Sequence, residues 1–355
     1  MRTIDFYKYT ANGNNFVLID ELDGEIIPEK EKSIFSKYIS NQATGIGCDS
    51  LIVLQKFSAD VLQQLPVNQT SSNGLDDNSP EYIMRVYEEG VESNMCGNGL
   101  VCLAHHLSRK YAVNNAIVAT EIPTKNMVPR TVKANINNYF QALLGRAKIP
   151  SNDFLNLKMI VNRPVSVVSC LLQPVVMSVI IKGVLCDIFF DECYLTFTGE
   201  PHLVIFRPTI SNMNRSLDEI FNILFENTRE VEKQKASAAL LNAIGNQFNA
   251  LLEVFPKGIN VNFAEILEDN KIAVRCFERG INLETYACGT GATAVAVMAN
   301  ELGISTAKQI IILPWRAGFE ELYRDNRIIV NNDHGYYQLA TQSTFVSKGE
   351  YYYSL

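Results

Sequence analysis

Apolar and polar positions along the chain mostly alternate in short strand-like runs, interrupted by a few stretches of helical spacing. IDFYKYTANGNNFVLID (4–20) reads as strand, tight turn, strand, with Asn12-Gly13-Asn14-Asn15 as the turn. A hairpin of this kind can present its asparagines to a cleft. Pro28 to Asn41 has helical spacing, Gly45 to Asp49 is a turn ahead of a strand at Leu51 to Leu54, and another strand is expected at Tyr82 to Tyr87. Strand-like runs fill Ala116 to Pro150 and Val165 to Phe206, and the spacing from Ser216 to Val254 predicts two helices. Strands return at Ile259 to Ile266 and Ile272 to Phe277. Two further apolar helical runs each follow a Cys-Gly-polar-Gly motif, NMCGNG reaching to about Tyr111 and YACGTG reaching to about Leu302.

The order strands, motif, helix therefore occurs twice, which points to an internal duplication and an α+β fold of two similar lobes. Residues 56–80 include VNQTSSNGLDDNSP, polar and without apolar periodicity, and are expected to form a surface loop. Val165 to Ile181 is the one stretch that could be mistaken for a membrane span. Its Gln173-Pro174 break and β-branched richness fit two buried strands better.

Composition narrows the function. With 355 residues, 47% of them apolar, the chain can bury two cores rather than one. A net charge of −7 with no Lys/Arg cluster argues against nucleic acid as a partner and for a small molecule. Eight scattered cysteines without a leader-like segment at Met1 to Asp20 suggest reduced thiols in a cytosol. No C-x-x-C pair occurs, and His105, His106, His202 and His334 lack zinc-ligand spacing, so no structural metal is expected.

The repeated motif carries the chemistry. Cys96 and Cys288 each stand at the start of a helical run, with Glu92 and Glu284 four residues ahead. A cysteine at a helix N-terminus meets unpaired backbone N–H groups and the positive end of the helix dipole, which favour thiolate over thiol. The same N–H groups make an anion site, so a substrate carboxylate could sit between two such helix starts. Two thiols on opposite sides of an α-carbon suit removal of its proton from one face and return on the other, and a neutralised carboxylate stabilises the enediolate-like charge that develops. No pyridoxal cofactor is then required. A single Cys-Gly-x-Gly would usually be no more than a helix entry with a buried small residue; two matched copies with the same upstream Glu argue otherwise.

At FYKYTANGNNFVLID, TGIGCD, RVYEEGVESNMCGNG, GEPH and FPKGINVNF followed by RCFERGINLETYACGTGA, the chain resembles the diaminopimelate epimerase family of cofactor-independent enzymes. The resemblance touches both ends of the chain and is weak over 56–80 and 155–253. It implies two pseudo-twofold lobes, each a curled mixed sheet around a central helix, in a homodimer, with epimerisation of LL- to meso-diaminopimelate in the lysine and peptidoglycan pathway. The expected lobes are 1–141 carrying Cys96, completed by a C-terminal strand at 343–355, and 142–342 carrying Cys288. By the resemblance Cys96 and Cys288 are the acid/base pair. Gly97, Asn98, Gly289 and Thr290 hold the reacting carboxylate, and Asn14, Asn260, Glu278 and Arg279 hold the rest of the substrate. His202 matches a histidine that influences the thiols; its plainer reading is a satisfied core histidine.

The chain departs from the family pattern at two places where asparagine is usual, Glu88 and Glu200. Two glutamates there would repel a distal carboxylate and suit a cationic side chain such as lysine, ornithine, arginine or histidine, unless they face solvent or pair with Arg279. PWRAGFE (314–320) also stands where the family tends to have a Pro-Gly-Gly turn. The alternatives to diaminopimelate epimerisation are thus a racemase of a cationic amino acid and, from another class, a catalytically silent amino-acid-binding protein. A reversible Cys96–Cys288 disulfide is a further, weaker reading.

Overall fold

Asn12 and Gly13 both take positive φ, 53° and 92°, as a two-residue hairpin turn with right-handed strand twist requires and as an Asn-Gly pair favours. They join β1 (Arg2–Ala11) to β2 (Asn14–Glu21), with Tyr9 opposite Phe16. The structure is a computed structural model and describes residues 2–58, 60–61, 81–93, 95–113, 115–120, 143–148, 157–161, 166–168, 175–181, 183–190, 192–198, 200–208, 215–256, 258–320, 326–333 and 336–353. Nearly all of the loop expected at 56–80 lies outside the described residues, as do Cys170, the Gln173-Pro174 break and His334.

The chain divides into two compact units, residues 1–164 with 334–355, and residues 165–333. In the first, α1 (Lys32–Ser40) leads from β2 to β3 (Ser50–Lys56), which runs parallel to β2. The antiparallel β4 (Tyr82–Glu88) turns into the short β5 (Val91–Ser93), and α2 (Gly97–Tyr111) follows. β6 (Asn115–Thr120) returns parallel to β4, then β7 (Leu143–Lys148) and β8 (Leu157–Val161) extend the sheet antiparallel. β3 is buried over SLIVLQ, as a strand covered on both faces must be. Leu51 and Val53 pack with Phe35 and Ile39 of α1 on one face, while Ile52 reaches Gly99 of α2 on the other.

In the second unit β9 (Ser166–Val168) pairs with β12 (Tyr194–Phe197), and between them β10 (Val175–Ile181) and β11 (Val184–Phe190) form a separate hairpin. β13 (Pro201–Phe206), reached from β12 by a reversal, lies parallel to β14 (Asn260–Glu268) across the helices α3 (Arg215–Leu224) and α4 (Val231–Ala250). β15 (Lys271–Glu278) and the short β16 (Leu283–Thr285) precede α5 (Gly289–Glu301), after which β17 (Gln309–Pro314) pairs parallel to β15 and β18 (Ile328–Asp333) antiparallel to β17. Phe221, Leu241, Ile244 and Phe248 of α3 and α4 pack on Val261, Phe263, Ala273 and Phe277 of the sheet. The chain ends in the first unit, where β19 (Tyr336–Thr341) pairs with β8 and β20 (Thr344–Tyr353) with β1.

Each unit is thus a mixed sheet wrapped around one helix. α2 touches β1, β2, β3, β4, β7, β8, β19 and β20, and α5 touches β9, β12, β13, β14, β15, β17 and β18. Both helices are buried through their first eleven residues, which is why their sequences are apolar and small on every side. The pairing β2–β3–β4–β5 then β6 repeats as β13–β14–β15–β16 then β17, with the same parallel and antiparallel senses. In this repeat Ile52 corresponds to Asn262 and Val86 to Cys276: Ile52 faces Val86, and Asn262 faces Cys276.

Two expectations differ from the structure. The division expected at residue 141 falls later, because β7 and β8 continue the first sheet, and 334–342 returns to that sheet as β19. β10 is not fully buried: Met177, Val179 and Ile181 face the core, but Val176 and Ile180 lie outside with Leu185 and Phe189 of β11. The hairpin covers the core with one face only, so half of its apolar side chains remain in solvent. Among the described residues no helix is long and apolar enough to cross a membrane.

Candidate active site

Cys96 and Cys288 are both N-cap residues. Each has extended backbone, φ −133° and −118°, and each thiol accepts from the N–H of the third residue of its helix, Gly99 or Gly291, at 3.4 Å. The cap takes one orphan N–H of each helix and leaves the sulfur at the positive end of the dipole. Gly97, Asn98, Gly289 and Thr290 form the first turns and are buried.

The upstream glutamates answer to a different need. Glu92 takes a bidentate pair from Arg85, Nε to Oε1 and Nη2 to Oε2 at 2.7 Å each, and Glu284 takes the same pair from Arg275 at 2.6 Å each. All four side chains are almost fully buried. The remaining guanidinium nitrogen goes to Glu29 in the first unit and to Leu224 O and Ser237 in the second. Each pair ties the strand before the motif to the strand leading into the cysteine. The glutamates thus brace the short strands that lead into the two cysteines. Arg85 and Arg275 were missed as site supports, although RVYEEG and RCFERG carry them at the same place in both copies.

The surroundings of the two thiols differ. In the first unit Asn98 Oδ1 accepts from Asn12 Nδ2 at 3.1 Å, and Asn12 Oδ1 accepts from Thr341 Oγ1 at 2.9 Å. The hairpin turn therefore steadies the first turn of α2, and Asn14, also buried, follows it in β2. Glu88, half-buried at the end of β4, belongs to this unit.

In the second unit Cys288 Sγ lies 3.3 Å from Thr290 Oγ1, which lies 2.9 Å from His202 Nε2. Asn262 Nδ2 is 3.1 Å from His202 Nδ1 and 3.1 Å from the Leu203 carbonyl. A carbonyl only accepts, so the amide nitrogen of Asn262 faces it and donates to Nδ1 as well. Nε2 then carries the imidazole proton and donates to Thr290, whose own proton is left for Cys288 Sγ. Burial pushes His202 down to about 3, which keeps it neutral and in this tautomer. Thr198 Oγ1 donates to the Thr290 carbonyl at 2.8 Å.

Asn260 Nδ2 donates to Pro201 O and its Oδ1 accepts from Arg279 N at 3.0 Å, so it locks the end of β13 to the turn after β15. Arg279 forms a buried ion pair with Glu200. That pairing gives Glu200 a partner within the protein. Glu278 accepts from Thr285 Oγ1 and stands near Cys288 and Cys276. Asn262, Cys276 and Thr198 were not singled out from sequence, because a lone polar or thiol residue in or beside an apolar strand has no spacing signature.

A family model described as diaminopimelate epimerase matches residues 231–333. The diaminopimelate epimerase of Methanocella arvoryzae is 31% identical over 315 residues, covering 85% of this chain and 84% of that protein. That of Methanothrix thermoacetophila is 27% identical over 311 residues, covering 86% and 84%. Among solved structures, a probable proline racemase from Agrobacterium radiobacter K84 superposes with a TM-score of 0.59 at 12% identity over 99% of this chain and 93% of that one. A phenazine biosynthesis protein of the PhzF family from Bacillus anthracis gives 0.57 at 12% identity over 99% and 100%. Those two likenesses establish the fold, and the relatives establish the kinship: the chain belongs to the diaminopimelate epimerase family of isomerases.

Proposed function

We propose that the protein epimerises diaminopimelate, inverting one α-carbon by a cofactor-independent exchange of protons with Cys96 and Cys288. The observation that carries this reading is the matched cap geometry: two thiols, each at the first turn of a buried helix inside the same repeated topology. A binding protein would need the N–H groups but not both sulfurs.

In this reading one sulfur, as thiolate, removes the α-proton, and the other, as thiol, delivers a proton to the opposite face; the roles exchange with direction. The reacting carboxylate is held by backbone N–H groups at Gly97, Asn98, Gly289 and Thr290, which stabilise the charge that develops as the C–H bond breaks. Asn14, Asn260, Glu278 and Arg279 orient the rest of the substrate. The Arg279–Glu200 pair disfavours a cationic substrate, since the carboxylate that would select it already has a guanidinium. The homodimer and the cytosolic setting remain part of the proposal, and the apolar outer face of Val176, Ile180, Leu185 and Phe189 supports self-association.

The test is deuterium incorporation at the α-carbon from deuterium oxide, followed by mass spectrometry. The panel holds LL- and meso-diaminopimelate and both enantiomers of lysine, ornithine, arginine and histidine. Exchange with diaminopimelate, abolished in Cys96→Ala and in Cys288→Ala, is expected. Exchange with a cationic amino acid alone would replace the substrate, and a single cysteine variant with near-normal inversion would defeat the mechanism.

A further inference from the structure

We propose that Cys276, Glu278 and Cys288 form a binding site for a soft divalent cation, zinc being the reference ion. Cys276 and Glu278 are two residues apart on β15, so their side chains leave the same face of the strand, and the β15–β16 hairpin brings the chain back to Cys288 at the start of α5. The two sulfurs and a Glu278 oxygen lie within 4.8 Å of one another. Zinc binds thiolate sulfur at about 2.3 Å and carboxylate oxygen at about 2.0–2.2 Å, so ligands of one tetrahedral ion stand roughly 3.5–4 Å apart. Small side-chain rotations would close the three atoms onto a single ion. Two thiolates and one carboxylate suit a borderline-soft cation, and three protein ligands leave a fourth position open to water or a substrate amine.

The repeat supplies a control inside the same molecule. The position equivalent to Cys276 is Val86, and the position equivalent to Glu278 is Glu88. The fold is thus satisfied by an apolar side chain at this place, yet the second unit puts a buried thiol there, beside the thiol that caps its helix. Cys276 makes a long contact to the Phe277 carbonyl, 3.7 Å, and its thiol lies within hydrogen-bonding reach of Cys288.

On binding, the ion forms bonds to both sulfurs and to the carboxylate, the thiol protons pass to solvent, and no electrons are exchanged. The sulfur of Cys288, once coordinated, can neither take nor give a proton, so the cation would act as a reversible inhibitor. That consequence rests on the acid/base assignment of Cys288, whereas the binding does not.

The full chain is titrated anaerobically with cobalt(II) in the presence of a non-coordinating reductant, reading the thiolate-to-cobalt charge-transfer absorption and its displacement by zinc. One equivalent is expected to bind with that absorption. Cys276→Ser and Cys276→Val, the second copying the residue of the other unit, should each lose the absorption and weaken zinc inhibition by at least about tenfold, because even indirect supports of a metal ligand are worth that much. Inhibition is read relative to each variant's own metal-free turnover. No charge-transfer absorption in the parent, or an unchanged one in both variants, would overturn the site. Absorption lost in the variants without any zinc inhibition of the parent would uphold the site and count against Cys288 as acid/base.

Discussion

Asn262 decides which nitrogen of His202 carries the proton. Its amide nitrogen is pinned by the Leu203 carbonyl and donates to Nδ1, so the imidazole donates from Nε2 to Thr290 and, through that hydroxyl, toward Cys288. Asn262→Asp would put an acceptor opposite Nδ1 and draw the proton to that side. The hydrogen bond at stake is worth about 1.5 kcal/mol, so kcat should fall by roughly tenfold with KM little changed. Because burial holds His202 neutral, the parent's rate profile should contain no His202 inflection between about pH 5 and 8. Steady-state kinetics over pH check both statements, and an inflection abolished by His202→Gln would contradict them.

The pairs Arg85–Glu92 and Arg275–Glu284 are buried and bidentate, so removing one member strands the other. Glu284→Gln should destabilise the protein by about 3–5 kcal/mol, while the double variant Arg275→Met with Glu284→Leu should recover much of that loss. Urea denaturation of the single and double variants makes the comparison.

Gly291 and Gly99 occupy the same helical position but different surroundings. A Cβ at Gly291 would clash with Asn262 Oδ1, whereas at Gly99 the nearest atoms are Cys96 Cβ and Ile52 Cδ1, both at 3.3 Å. Gly291→Ala should therefore lower turnover more than Gly99→Ala, since it displaces the side chain that orients His202. Equal effects on kcat would show that the amide does not matter.

Asp20 accepts from Lys110 at 2.6 Å, Tyr111 at 2.7 Å and His106 Nε2 at 2.9 Å, and His106 Nδ1 meets Tyr9 at 3.0 Å. Burial alone would raise its carboxyl, but the hydrogen bonds from His106, Lys110 and Tyr111 outweigh it and hold Asp20 well below the usual carboxylate range. A depressed carboxylate contributes stability above its unfolded value of about 3.9 and loses it as pH falls. Asp20→Asn should thus be less stable than the parent near neutrality, the gap narrowing from about pH 5 downward. Denaturation midpoints of both proteins across that range measure it.

What the sequence determined by itself is what short-range chemistry determines. Asn12-Gly13 specifies its hairpin turn because so few residue pairs accept two positive φ angles. The helical runs after Cys96 and Cys288 end at Tyr111 and Glu301, close to their expected limits, because a cysteine before Gly-polar-Gly begins a helix and uniform burial makes the run apolar. The matched motifs named the two thiols and the family. What only the tertiary structure decided depends on which residue stands across from which. Arg85 and Arg275 serve Glu92 and Glu284 across a hairpin, Arg279 takes Glu200 from the bend before β13, far away in sequence, and Asn262 and Cys276 gain their meaning from facing each other near Cys288. A polar or thiol residue on an apolar strand has no partner until the register is set, and register is a property of two strands and the sheet between their faces, which no single stretch of sequence contains.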